Sequence, residues 1–208
     1  MTMKIRAKRL SRLELTAYHE AGHAVAAYIL HVRPRKASII PDHPKNSLGR
    51  VTHSPLPVSV QHQISEGYID TSRSRGFIER HAMVSLAGDV AVRIVTGQVN
   101  GKAPHVGPSQ DFQNVFSILP CGFNVHMRAL NPLTRRMKRI PTDVEASAYA
   151  EWLWWRTIRL LSNPFAKRGL RAVARALLRD RELGERGLRQ IIERAFLTDS
   201  GFSSDLDD

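Results

Sequence analysis

The sequence predicts a mainly helical α+β domain, with a small β-hairpin beside the first helix and a helical bundle in the C-terminal part. Apolar residues recur at helical spacing through most of the chain, and helix-start residues precede several of these segments. Only two short segments, 36–40 and 48–52, have the composition of strands. The 208 residues suffice to bury a sizeable core, so we expect one domain over 1–198 and a disordered acidic tail over 199–208.

The first helix is predicted between Ser11 and Pro34. Ser11 and Glu14 form a Ser-x-x-Glu capping box at its start, and the proline beyond its far end cannot continue a helix. Leucine, alanine, valine and isoleucine occupy most of the positions between these two signals. We therefore expect this helix to be packed against the rest of the domain on most of its sides.

A β-hairpin is predicted directly after this helix. Residues 36–40 form its first strand, the segment 41–47 turns the chain, and residues 48–52 return beside the first strand. An edge strand in this position can receive an extended peptide by strand addition. Residues 53–74 contain two prolines and several serines and threonines, a composition that is typical of a surface loop and could form a flap.

The middle of the chain is predicted to hold two helices. Residues 76–96 have apolar positions at helical spacing, and Gly97 ends this helix. Ser109 caps a second helix, which places Asp111 in its first turn. Residues 120–141 are rich in proline and basic residues and are predicted to form an exposed connection.

The part 142–198 is predicted to contain three further helices. The first runs through three tryptophans to about residue 161, and Asn163 and Pro164 open the second. The third follows Gly187. We expect the three tryptophans to belong to the core of this helical part rather than to a binding site.

Charge and composition limit the classes of function. The net charge of +12 would suit an acidic partner such as nucleic acid, but the basic residues are scattered and not interleaved with aromatic ones, so solvated helix faces explain them better. The single cysteine, Cys121, excludes an internal disulfide and a thiolate metal cluster. No apolar run approaches 18 residues and no signal peptide is evident, so we expect a cytoplasmic protein.

His19, Glu20 and His23 form the pattern His-Glu-x-x-His inside the first predicted helix. Residues four apart share one helix face, so both imidazoles can reach one metal ion, and this pattern indicates zinc. Glu20 can then act as a general base toward a metal-activated water. The alternative is a pair of structural histidines, although a polar trio inside so apolar a helix is costly unless it is satisfied.

A catalytic zinc site needs a third protein ligand. Spacing alone does not choose among the donors that follow the histidines. These candidates are Glu66, Asp70, Glu79, His81, Asp89, His105 and Asp111.

The residues around the two histidines resemble the peptidase domain of FtsH-type zinc proteases, which are membrane-anchored AAA+ proteases. The family hallmark Thr-Ala-x-His-Glu-x-Gly-His-Ala matches residues 16–24. The third ligand of that family is an aspartate in Ser-x-Asp preceded by glycine, which corresponds to Asp111. The family segments Ile-Ile-Pro, Leu-Gly-x-Val and Leu-Ala-Gly also occur in the same order, at 39–41, 48–51 and 86–88.

The resemblance covers about residues 11–118 and implies a zinc-dependent endopeptidase. It implies that His19, His23 and Asp111 bind Zn²⁺, while Glu20 activates the water and later passes its proton to the leaving amine. The returning strand of the hairpin is expected to hold the substrate backbone. The substrate-binding residues in it are Leu48, Gly49, Arg50 and Val51.

The chain also departs from the family pattern. Val92-Arg93 and Val115-Phe116 stand where the family has an acidic pair and an Ala-Thr pair, and the spacing between His23 and the matched aspartate is longer than usual. The 208 residues include no AAA+ domain and no membrane anchor. We therefore expect cleavage of flexible polypeptides, alone or with a separate AAA+ unfoldase. A homo-oligomer is the other assembly that the resemblance allows.

Two other interpretations stay open at this point. The chain could be a zinc metallopeptidase of another clan, with Glu79 or another acidic residue as the third ligand. It could also be a non-catalytic basic module on a peptidase fold that binds nucleic acid or a partner protein. The presence of Glu20 argues against the second interpretation, because a binding module has no need of a general base.

Overall fold

The computed structural model describes residues 10–42, 47–66, 71–99, 115 and 142–197, with side chains from 147 onward in the last range. Helices predominate in these residues, and three short strands form one antiparallel sheet. The mainly helical α+β prediction is therefore confirmed at this level. The helices are α1 (Arg12–Ile29), α2 (Val58–Ser65), α3 (Ser72–Thr96), α4 (Thr142–Ser162), α5 (Pro164–Asp180) and α6 (Glu185–Leu197), and the strands are β1 (Pro34–Ser38), β2 (Arg50–His53) and β3 (Glu182–Gly184).

Helix α1 lies at the centre of the domain, between α3 and α5. The predicted capping box is present: Ser11 accepts from the Glu14 N–H at 3.2 Å, and the Glu14 carboxylate accepts from the Ser11 N–H at 2.7 Å. Small residues let its neighbours approach closely. A Cβ at Gly22 would collide with the Ala87 carbonyl oxygen of α3, so the absence of a side chain sets the distance between these two helices.

The predicted hairpin is confirmed, but β1 begins two residues earlier than predicted and β2 begins two residues later. The sheet order is β2-β1-β3, with Ala37 opposite Val51 on one side and opposite Leu183 on the other. Leu48 and Gly49 therefore precede β2 instead of belonging to it. The alignment of β1 with β3 continues one residue further, because the Ile39 N–H donates to the Arg181 carbonyl at 2.9 Å.

The prediction of a surface loop over 53–74 was wrong in part. Residues after Pro57 form α2, and Val60 anchors this helix with only 2% of its surface exposed. Helix α3 begins four residues before the predicted start at Gly76, because the Thr71 side chain caps it by accepting from the Ser74 N–H at 3.1 Å. Gly97 ends α3 in the left-handed conformation, as predicted.

The three predicted C-terminal helices are present. Asn163 caps α5 by accepting from the Phe165 N–H at 2.9 Å. Trp154 is fully buried, but Trp152 and Trp155 are 47% and 44% exposed, so the prediction of three core tryptophans was wrong for two of them. None of the described helices is long and apolar enough to cross a membrane.

Three further predictions lie outside the described residues. These are the helix after Ser109, the exposed connection 120–141 and the disordered tail 199–208.

Candidate metal centre

Helix α1 places His19 and His23 one turn apart with their rings edge to face. Their Nε2 atoms are 3.1 Å apart. Two nitrogens that bind one tetrahedral zinc at 2.0–2.1 Å are separated by about 3.3 Å. The spacing of the two Nε2 atoms is therefore close to what a shared zinc ion requires.

A hydrogen bond at the opposite ring nitrogen sets the orientation of His23. His23 Nδ1 lies 2.7 Å from the Val84 carbonyl oxygen, which can only accept, so Nδ1 carries the proton and Nε2 of the neutral ring presents its lone pair. His19 Nδ1 lies 3.6 Å from the Asp89 carboxylate, within ion-pair distance but too far for a hydrogen bond. In the absence of a metal ion, the 3.1 Å contact is a hydrogen bond in which His19 Nε2–H donates to the His23 Nε2 lone pair, and a metal ion would replace this proton.

Gly88 of α3 leaves the space beside these nitrogens open. A Cβ built at this position would lie 2.5 Å from His19 Cε1 and 2.6 Å from His19 Nε2, and it would also meet His23 Nε2. Any side chain here would occupy the volume next to both nitrogens. Gly88, the glycine of the Leu-Ala-Gly segment, therefore leaves room for a metal ion beside the two histidines.

The Glu20 side chain of α1 is buried beside the residues that lead into β2. Only 5% of the Glu20 surface is exposed, and a Cβ at Gly49 would lie 2.6 Å from its Oε1 atom. The backbone at Gly49 therefore passes directly against the carboxylate.

Two of the four predicted substrate-binding residues, Leu48 and Arg50, are exposed on the hairpin. Leu48 is 43% exposed, and Arg50 is exposed at the start of β2. Among the described strands β2 pairs only with β1, so β2 is an edge strand of this sheet. Val51 faces inward and is half-buried.

The third ligand stays a prediction, because Asp111 lies outside the described residues, as do Asp70 and His105. In the part of the chain that the structure describes, no group of three or more His, Cys, Asp or Glu side chains is arranged to hold a metal ion. Glu79 is occupied elsewhere: its carboxylate accepts from the Tyr149 hydroxyl and pairs with Arg156 at 3.0 Å.

A second histidine pair lies beside the first. The His53 and His81 rings are in contact, with centroids 5.2 Å apart. Burial, with smaller contributions from the charges of His53 and Arg80, lowers the pKa of His81 to about 4. Burial also lowers the pKa of His53, against the opposing effect of its hydrogen bond to the Ser54 carbonyl, and the charge of His23 adds a smaller lowering.

The sequence did not predict this second pair. His81 was one of seven candidate ligands, and His53 was placed in the loop that follows the hairpin. His53 at the end of β2 and His81 in α3 are 28 positions apart in sequence and meet only in the folded chain, so the sequence carries no local signal for the pair.

No family model matches the chain, and no curated protein is significantly similar to it. Its function is therefore inferred from the residues of this site and their geometry.

Proposed function

We propose that the chain is a zinc-dependent endopeptidase that hydrolyses peptide bonds in flexible polypeptides. The observation that carries the proposal is the convergence of two Nε2 atoms, 3.1 Å apart, with His23 Nδ1 held by the Val84 carbonyl oxygen. His19, His23 and Asp111 would hold the zinc. When bound, zinc supplies a positive charge that activates a water molecule and polarises the scissile carbonyl.

Glu20 supplies the proton transfers of the reaction. Its carboxylate follows the first histidine on α1 and is almost completely buried, where a charge acts more strongly than in water. It accepts the proton of the attacking water and donates it to the amine that leaves when the peptide bond breaks. Such general acid–base catalysis accelerates a reaction by roughly 10²–10⁴-fold.

The edge of β2 away from β1 orients the substrate. A strand added to this edge would form main-chain hydrogen bonds that do not depend on the substrate's side chains. The Gly49 backbone passes against Glu20, so a peptide held here lies next to the general base. Because strand addition needs an extended chain, flexible polypeptides are the substrates that fit, or proteins that a separate AAA+ unfoldase has opened.

The resemblance to FtsH-type peptidase domains supports the proposal through the positions of its separate motifs. Gly49 belongs to the Leu-Gly-x-Val segment and Gly88 to the Leu-Ala-Gly segment, which are far apart in sequence. Both glycines nevertheless lie against the His-Glu-x-x-His residues, one against the glutamate and the other against the histidines. Motifs that match by chance would have no reason to meet at one place.

Zinc content and peptide cleavage test the proposal together. Purified wild-type chain should contain about one zinc ion, as catalytic sites of this type do, and Asp111→Ala should contain almost none. Glu79→Ala is the matched control: it removes a carboxylate that contacts Tyr149 and Arg156, so zinc should be retained. Zinc in both variants would place the third ligand elsewhere.

Glu20→Gln separates metal binding from catalysis. This variant should keep its zinc but lose at least about a hundredfold of the rate of cleavage of an unfolded protein such as casein, since the general base is removed. Full cleavage activity in Glu20→Gln would contradict the proposed role of Glu20. A wild-type chain without zinc even after reconstitution would make the two histidines structural.

A further inference from the structure

A groove of about 480 Å³ lies between the first turn of α1 and the end of the β1–β2 hairpin. We call it the hairpin groove. Its walls are apolar, and two arginines stand in its lining. The apolar lining includes Leu13, Ile39, Ile40 and Leu48, and the two arginines are Arg12 and Arg181. Leu13, Ile40 and Leu48 are 38%, 54% and 43% exposed, which is unusual for large apolar side chains in one place.

The hairpin groove lies next to residues of the proposed active site. Thr16 also lines it and precedes Glu20 by one helical turn, a rise of about 6 Å along α1. Leu48 lines the groove from the other side, and the next residue, Gly49, passes against the Glu20 carboxylate. A peptide that lies beside Glu20 can therefore place a neighbouring side chain in this groove.

The two arginines give the groove a positive charge. Among the described residues, no ion pair joins either guanidinium to a carboxylate, and two acidic side chains near them in sequence have other partners. Glu14 accepts from the Ser11 N–H at 2.7 Å, and Glu182 pairs with Lys36 at 2.9 Å. Arginine binds carboxylates through two parallel hydrogen bonds, so these groups favour an acidic ligand.

We infer that the hairpin groove binds a large apolar side chain of the substrate polypeptide and that Arg12 and Arg181 bind an acidic residue next to it. Burial of the apolar side chain supplies most of the affinity, and the arginines select for the acidic neighbour. The inference rests on the proposed function, since it assigns the substrate of that same site. It specifies acidic, flexible polypeptides with large apolar residues as the substrate class.

Binding to the full chain that carries Glu20→Gln tests the groove without cleavage. The probes are three short fluorescein-labelled peptides, with leucine flanked by glutamates, leucine flanked by lysines, and serine flanked by glutamates. Fluorescence anisotropy at low salt should show the first peptide binding on the order of tenfold more tightly than either of the others. Equal binding of the three peptides would overturn the inference.

Substitutions in the groove show whether these residues cause the preference. Arg12→Gln and Arg181→Asn should each weaken binding of the glutamate-flanked leucine peptide about fivefold, as expected for an exposed ion pair. Asparagine is chosen at 181 because φ there is +67° and asparagine tolerates that conformation. Arg171→Gln, which removes an exposed charge of α5 outside the groove, should leave binding unchanged. An equal loss in Arg171→Gln would assign the effect to net charge and overturn the inference.

The apolar part of the groove is tested by Ile40→Ser. Ile40 is 54% exposed, so this change should not unfold the chain. It should weaken the binding of both leucine peptides and leave the binding of the serine peptide unchanged. An equal loss of binding for all three peptides would overturn the assignment of the apolar wall.

Cleavage by the zinc-loaded wild type separates the inference from the proposed function. Preferential binding of the glutamate-flanked leucine peptide without any cleavage would support the groove and contradict the peptidase proposal. Cleavage of all three peptides at equal rates would support the peptidase and overturn the groove as its specificity site.

Discussion

Single glycines decide what the candidate site can hold. Gly88 leaves space beside both histidine Nε2 atoms, and Gly49 lets the backbone before β2 reach Glu20. The sequence predicted the polar residues of the site because i,i+4 spacing on a helix fixes their relation. It could not predict that the Val84 carbonyl orients His23, because that contact depends on how α1 packs against α3. The role of Asp111 as third ligand stays a prediction, because this residue lies outside the described part of the chain.

Gly88→Ala should lower zinc affinity by about tenfold or more, the size of effect seen when the orientation of ligands is disturbed. The added methyl group would lie 2.5 Å from His19 Cε1, so the imidazole must move or the ion is excluded. Competition with a zinc-binding dye measures the change. Gly76→Ala is the matched control in the same helix, because a Cβ there meets nothing within 4 Å. The Gly76→Ala control should keep its zinc affinity, and its free energy of unfolding should rise by about 0.5–1 kcal/mol. Equal zinc affinity in Gly88→Ala and wild type would contradict the proposed metal position.

Among the elements, those with a local signal in the sequence were predictable. The capping box at Ser11 marks the start of α1, and Asn163 followed by Pro164 marks the start of α5. Strand β3 was missed because its three residues form a strand only through pairing with β1. Helix α2 was missed because the prolines before it indicate a loop. Its eight residues contain a single buried side chain, Val60, which is too little for a helical pattern to be recognised.

Gly22→Ala should destabilise the chain by about 1–3 kcal/mol, the usual cost of overpacking. A Cβ at Gly22 would collide with the Ala87 carbonyl oxygen, and backbone cannot move aside as a flexible side chain can. Urea unfolding followed by circular dichroism measures the free energy of unfolding. Because Gly22 lies next to His23, the displaced helix should also bind zinc more weakly. Unchanged stability would show that α1 and α3 are not as close as the structure places them.

At the scale of the whole molecule, the core of the domain also encloses ionisable groups. His81 and His23 are 9% and 8% exposed, beside an α1–α3 interface made largely of alanine and valine. The sequence predicted the apolar part of this core from helical periodicity. It could not predict that His53 and His81 would meet inside it, because burial of a polar side chain follows from the packing of distant elements and not from a repeating pattern.

The buried His81 should make folding stability depend on pH. Its pKa is lowered to about 4 in the folded chain, below the ordinary value of 6.5. The unfolded chain therefore binds more protons between these values, and stability is fully present above pH 6.5 and falls as the pH decreases toward 4. We expect a loss of about 3 kcal/mol from this residue over that range. Urea unfolding of wild type and His81→Leu at a series of pH values measures it: the variant should show a shallower decrease, with His53 contributing the part that remains. Parallel curves for the two proteins would show that His81 is not buried as a neutral ring.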